Sequence, residues 1–132
     1  MRAAFFIAGL LLAQGSLGCG YCVEDKIAAA YDHAVVVSAT DRGHEVAFLS
    51  IEGTTAKSQE RSIVSAVESV AGVDRGTVRA SLEGGAVSFA FDPARTPVSS
   101  IVGNIRKKLA AKGVRVSLLK VLDDKLGTSA RL

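Results

Sequence analysis

Cys19 and Cys22 are the only cysteines in the 132-residue chain, and a Cys-x-x-Cys pair at the start of a helix supports three kinds of chemistry. Two thiolates three residues apart can turn toward one soft metal ion, and a helix N-terminus favours the deprotonated sulfur that such an ion requires. The same spacing serves thiol–disulfide exchange. Redox pairs of that kind follow a strand, however, whereas an apolar leader directly precedes this one. The third reading is an inert disulfide, the outcome that an oxidising compartment favours. Metal capture by Cys19 and Cys22 is the leading expectation, ahead of the passive disulfide and then of redox activity.

The other polar residues have plainer roles. His33 lies eleven residues after Cys22. On one continuous helix, a rise of 1.5 Å per residue separates the two by roughly 16 Å, too far to share an ion. His44 follows Gly43 at the start of the sheet and reads as a solvated strand-start imidazole, so neither histidine joins the primary site. Glu24 and Asp25 suit the first turn of a helix through its macrodipole, and Arg106, Lys107, Lys108 and Lys112 suit the end and solvated face of the last helix. No nucleophile–base–orienter set and no phosphate-binding glycine loop is visible, so no enzymatic activity is expected. A formal charge of +3 with 5% aromatic residues and no Trp lacks the basic stripe and stacking rings that a nucleic-acid partner needs.

The N-terminus carries an export signal. Arg2 is followed by an apolar run from Ala3 to Ala13 and by the small residues Gly15, Ser16 and Gly18. Residues 1–18 are therefore read as a cleavable signal peptide, with cleavage after Gly15 or Gly18 equally acceptable. The run falls short of the about 20 residues that span a bilayer, and no later segment reaches that length, so no membrane span is expected after cleavage. The expected location is periplasmic or secreted. Ser16-Leu17-Gly18-Cys19 also resembles a lipoprotein cleavage box, but Ser stands where Leu is usual, which makes lipid anchoring at Cys19 the weaker alternative.

The elements that must position these residues follow from periodicity. A hydrophobic content of 48% against 22% charged residues fits one globular domain. Residues 19–43 hold the Cys-x-x-Cys segment and a lead helix, because Val23, Ile27, Ala30, Tyr31 and Ala34 recur at helical spacing, although Val35, Val36 and Val37 leave an extended continuation open. Glu45 to Ile51 is apolar on both faces, as in a central strand. Thr54 or Thr55 caps a helix carrying Ile63, Val67 and Val70. Thr77 to Leu82 and Val87 to Phe91 alternate around Gly84-Gly85 as a hairpin. Thr96-Pro97 opens a helix with the stripe Val98, Ile101, Val102, Ile105 and Leu109. Val114 to Leu122 forms a last strand whose phase changes at Leu119, as at a bulge. The order predicts an α+β fold: a ferredoxin-like βαββαβ sandwich over residues 44–122, with a four-stranded antiparallel sheet and both crossover helices on one face. The lead helix is expected to cover the other face, and residues 123–132 form a polar tail.

Between residues 45 and 122 this pattern resembles the heavy-metal-associated domain. The likeness rests on Ile51-Glu52-Gly53, Val70-Ala71-Gly72-Val73, Phe89-Ala90-Phe91-Asp92-Pro93 and Ala111-Lys112-Gly113-Val114. The resemblance implies soft-metal binding in the loop after the first strand, through Gly-Met-Thr-Cys-x-x-Cys. Here Gly53 aligns with the glycine, and Ala56 and Gln59 fall on the two cysteines, so that loop has no thiolate to offer Cu(I). The expectation is an exported soft-metal protein that binds Cu(I) or Zn(II) through Cys19 and Cys22 and meets a metal-transport or envelope protein. The alternative is a metal-free protein-interaction module in which Cys19 and Cys22 form a structural disulfide.

Overall fold

A computed structural model describes residues 22–53 and 56–123. The expected signal peptide, Cys19, Thr54, Thr55 and all of the tail after Asp123 lie outside these residues. Eight described elements follow in the order α1 (Val23–Ala30), α2 (His33–Asp41), β1 (Glu45–Glu52), α3 (Glu60–Glu68), β2 (Arg79–Ser81), β3 (Ala86–Phe91), α4 (Val98–Ala110) and β4 (Arg115–Leu122), with a 3-10 turn at Lys57–Gln59 before α3. The four strands form one antiparallel sheet in the order β2-β3-β1-β4. That is the expected split βαβ topology with β1 inside the sheet, and its two apolar faces give it two cores.

Alternation along β1 sends Ala47, Leu49 and Ile51 to one face and Val46 and Phe48 to the other. The first set joins Ile63 and Val67 of α3, Ile101, Val102, Ile105 and Leu109 of α4, and Phe89 and Phe91 of β3 in the larger core. The second set joins Ala30, Val35, Ala39, Ala86 and Ala90 beneath the lead segment. Both crossover helices thus occupy one face, and the lead segment seals the opposite one.

The lead segment is two helices where one was expected. Tyr31 and Asp32 are both extended, with ψ of 130° and 111°, and Asp32 caps α2 by accepting hydrogen bonds from the amides of Ala34 (2.9 Å) and Val35 (3.4 Å). Arg79 Nε reaches the same carboxylate at 2.8 Å and ties the corner to β2. The Val35-Val36-Val37 run is helical, because the burial of Val35 and Ala39 in the cluster around Phe48 outweighs the β propensity of the three valines. Three boundaries also move. The N-cap of α3 is Gln59, after the 3-10 turn, and not Thr54 or Thr55. Pro97 is the N-cap of α4, which places the start one residue later than a Thr96 cap would. β2 shrinks to three residues, although its flanks Val78 and Leu82 remain buried.

The bulge is where the change of phase placed it. Phe48 pairs with Lys120 and Leu49 with Leu118, so Leu119 is the additional residue on β4. In the β2–β3 hairpin only Gly85 has positive φ (68°). Gly84 serves close approach instead, since a Cβ there would collide with Ala29 of α1.

Candidate functional site

Cys22 is the N-cap of α1, exposed, in extended conformation, with Glu24 and Asp25 in the first turn behind it. Its Sγ donates to Asp25 Oδ2 at 3.3 Å. The helix that carries it is fixed to the sheet at two points. One turn after Cys22, Lys26 Nζ donates to Ser50 Oγ at 2.7 Å and reaches Gly85 O at 3.5 Å. At the far end, the buried hydroxyl of Ser88 donates at 2.6 Å to Ala30 O, a terminal helix carbonyl that would otherwise lack a partner. Cys22 is therefore held about 6 Å along the helix axis from the Lys26 anchor, which lies over the end of β1.

The loop leaving that end of β1 contains the positions implied by the family resemblance. Gly53 has φ of 112°, and a Cβ there would collide with the carbonyl oxygen of Gly113, so Gly53 packs backbone to backbone against the turn before β4. Ala56 and Gln59 are exposed, and Gln59 makes no side-chain capping bond at the start of α3. Neither supplies a soft donor. Among the described residues, no three His, Cys, Asp or Glu side chains are arranged to hold a metal ion.

His33 is exposed, and its Nδ1 lies 3.1 Å from the Tyr31 hydroxyl. The break at Tyr31-Asp32 replaces the single straight helix on which the separation from Cys22 was reckoned. His44 departs from the solvated role expected of it: its side chain is 18% exposed and both ring nitrogens face carboxylates. Nδ1 lies 2.6 Å from Asp74 Oδ2, and Nε2 lies 3.8 Å from Asp92 Oδ2. These three residues border a cavity of about 450 Å³ lined also by Gly72, Val73, Arg95 and Thr96. Asp74 and Asp92 look like turn residues in the sequence. Pairing explains their meeting: Glu45 stands opposite Phe91, which makes 44 and 92 neighbours at one end of the sheet, while the Val73–Phe91 bridge and the Asp74 amide on Ala90 O bring Asp74 to that same end.

The Asp32 carboxyl is held below its ordinary value of 3.8, first by the hydrogen bond from Arg79 and then by those from the capped amides. This stabilises the corner that joins the two lead helices.

Topology, the two-faced first strand and the quoted turns agree on one fold. It is the ferredoxin-like βαββαβ sandwich. Similar solved structures include the copper-binding domain of HMA7, a P-type ATPase, at 19% identity over 58% of this chain and 96% of that one, with a TM-score of 0.49. Oxidized MerP from Ralstonia metallidurans CH34 is 25% identical over 58% of this chain and 99% of its own, with a TM-score of 0.48. The CopZ metallochaperone is 24% identical over 55% and 98% of the two chains, with a TM-score of 0.44. Each likeness spans little more than half of this chain. No family model matches the sequence, and no curated protein matches it. Among the described residues, no helix is long and apolar enough to cross a membrane.

Proposed function

We propose that this chain is an exported soft-metal-handling protein in which Cys19 and Cys22, rather than the loop after β1, supply the thiolates. The observation that carries this reading is the placement of Cys22, exposed at the N-cap of a helix clamped to the sheet through Lys26 and Ser88. A thiol on an anchored helix end can release an ion to an acceptor protein without unfolding its support. Two sulfur donors suit Cu(I), which takes few, soft ligands, whereas Zn(II) would need two further donors from solvent or a partner. The partner would be a metal-transport or envelope protein that offers thiolates in turn.

Titrating the reduced, signal-free protein with Cu(I) against a chromophoric chelator tests this. The expected result is one ion bound per chain, lost in the Cys19→Ser, Cys22→Ser double variant. Equal uptake by the double variant would overturn the assignment. The long outer strand β4, with Leu118 41% exposed, favours a second reading: an interaction module that docks through this edge and holds Cys19 and Cys22 as a disulfide. Intact mass of protein from its native compartment separates the two, because the disulfide form is two hydrogens lighter and carries no metal.

A further inference from the structure

We infer that His44 and Asp92 form a second metal site, at the opposite end of β1 from the loop of the family motif, which takes a borderline divalent cation of the Zn(II) class. An ionised carboxylate only accepts, so His44 Nδ1 donates to Asp74 Oδ2 at 2.6 Å, and Nε2 is the ring nitrogen that faces Asp92. This is the carboxylate–histidine arrangement that orients imidazole ligands of metals from behind. On the other side of Nε2, Asp92 Oδ2 stands at 3.8 Å, beyond hydrogen-bond distance. Two such donors on one tetrahedral Zn(II) lie about 3.4 Å apart, given bond lengths of about 2.0–2.2 Å, so the pair needs to close by about 0.4 Å.

The remaining features fit an open site. Asp92 is fixed through its other oxygen, which accepts from the Ala94 amide at 3.0 Å, while its Oδ2 receives no hydrogen bond from the described residues. Asp74 is fixed by its own amide, which donates to Ala90 O at 2.9 Å, and His44 by its amide on Ala39 O at 2.8 Å. The adjoining cavity has room for the water ligands that complete the coordination. Two cations oppose the ion: Arg42, 3.5 Å from Asp74 Oδ2, and Arg95 on the cavity wall. Two protein donors and this opposing charge make the site an exchangeable one rather than a structural closed one. It is independent of the cysteine site, because one imidazole and one carboxylate suit Zn(II) and offer Cu(I) no sulfur.

The test uses the full signal-free chain with both cysteines changed to Ser, titrated with Zn(II) and followed by imidazole nitrogen NMR. His33 provides an internal control. Zn(II) should shift Nε2 of His44 selectively, and Asp92→Asn should weaken binding at least tenfold. Asp74→Ala should weaken it about 10–100-fold, and Arg95→Gln should tighten it by removing a like charge. No shift at His44, or unchanged affinity in both Asp92→Asn and His44→Ala, would overturn the site. Inorganic phosphate run in parallel covers the contrary case: if phosphate perturbs His44 and Arg95→Gln abolishes that effect while Zn(II) does nothing, the cavity is an anion site and the proposal fails. Asp92→Asn is isosteric, so a loss of binding in it with an unchanged melting profile is free of any folding defect in His44→Ala.

Discussion

Phe48→Ala tests whether the lead helices are an integral part of the domain. Phe48 is fully buried on the face of β1 beneath α1 and α2, with Tyr31 stacked above it at a centroid distance of 6.5 Å and an interplanar angle of 7°. Its buried neighbours in that cluster are Ala30, Ala39, Ala86, Ala90, Val35 and Val46. These side chains are short and stem from anchored backbone, so they cannot collapse into the space a missing ring leaves. The cavity persists, and the cost falls at about 4 kcal/mol, within the range for buried Phe→Ala changes. With a urea m-value of about 2 kcal/mol/M, the midpoint should drop by about 2 M. A domain of this size has about 5–15 kcal/mol in total, so the variant approaches the edge of stability. Equilibrium urea denaturation followed by circular dichroism measures the midpoint, and amide exchange locates the loss, which should be greatest in α1 and α2. A loss under about 1 kcal/mol, with α1 and α2 amides still protected, would refute the two-core account.

Two further expectations follow from the corner and the loop. Asp32 has a lowered pKa, so its contribution is present above 3.8 and is lost as pH falls through its lower folded-state value. The stability deficit of Asp32→Asn should therefore be largest at neutral pH and close as pH falls through the lowered folded-state value; a deficit independent of pH in thermal melts would show that the Arg79 pair and caps are inactive. Gly53→Ala should destabilise by well over 1 kcal/mol, because it adds a clash with Gly113 O to an unfavourable φ. Gly43→Ala, with φ of 73° and no atom within 4 Å of its Cβ, should cost only about 1–2 kcal/mol. Equal melting temperatures for the two variants would contradict the close packing of the two loops.

Elements whose signal lies within a short window were legible. The α4 stripe, the two-faced β1, the Gly84-Gly85 hairpin and the bulge at Leu119 each reveal themselves over about fifteen residues or fewer, because one face of a helix or strand buries itself independently of what covers it. The corner in the lead segment was not, although Asp32 is a good N-cap. Ile27, Ala30, Tyr31 and Ala34 keep helical spacing straight through it, and the hydrogen bond that ties the corner to the sheet comes from Arg79, 47 residues away. β2 was overextended for a related reason: Val78 and Leu82 alternate as in a strand, yet their burial is met without ladder pairing.

The two candidate sites divide along the same line. Cys22, the missing thiolates at Ala56 and Gln59, the strand order implied by βαββαβ and the need to cover Val46 and Phe48 were all determined by the sequence, since each depends on residue type or on period. The meeting of His44 with Asp74 and Asp92 was decided only by tertiary structure. Residues 30 and 48 positions apart converge because register between β1 and β3 and the Val73 bridge place them at one sheet end. Register is a cooperative property of two paired strands and their packed faces, and no single stretch of chain encodes it.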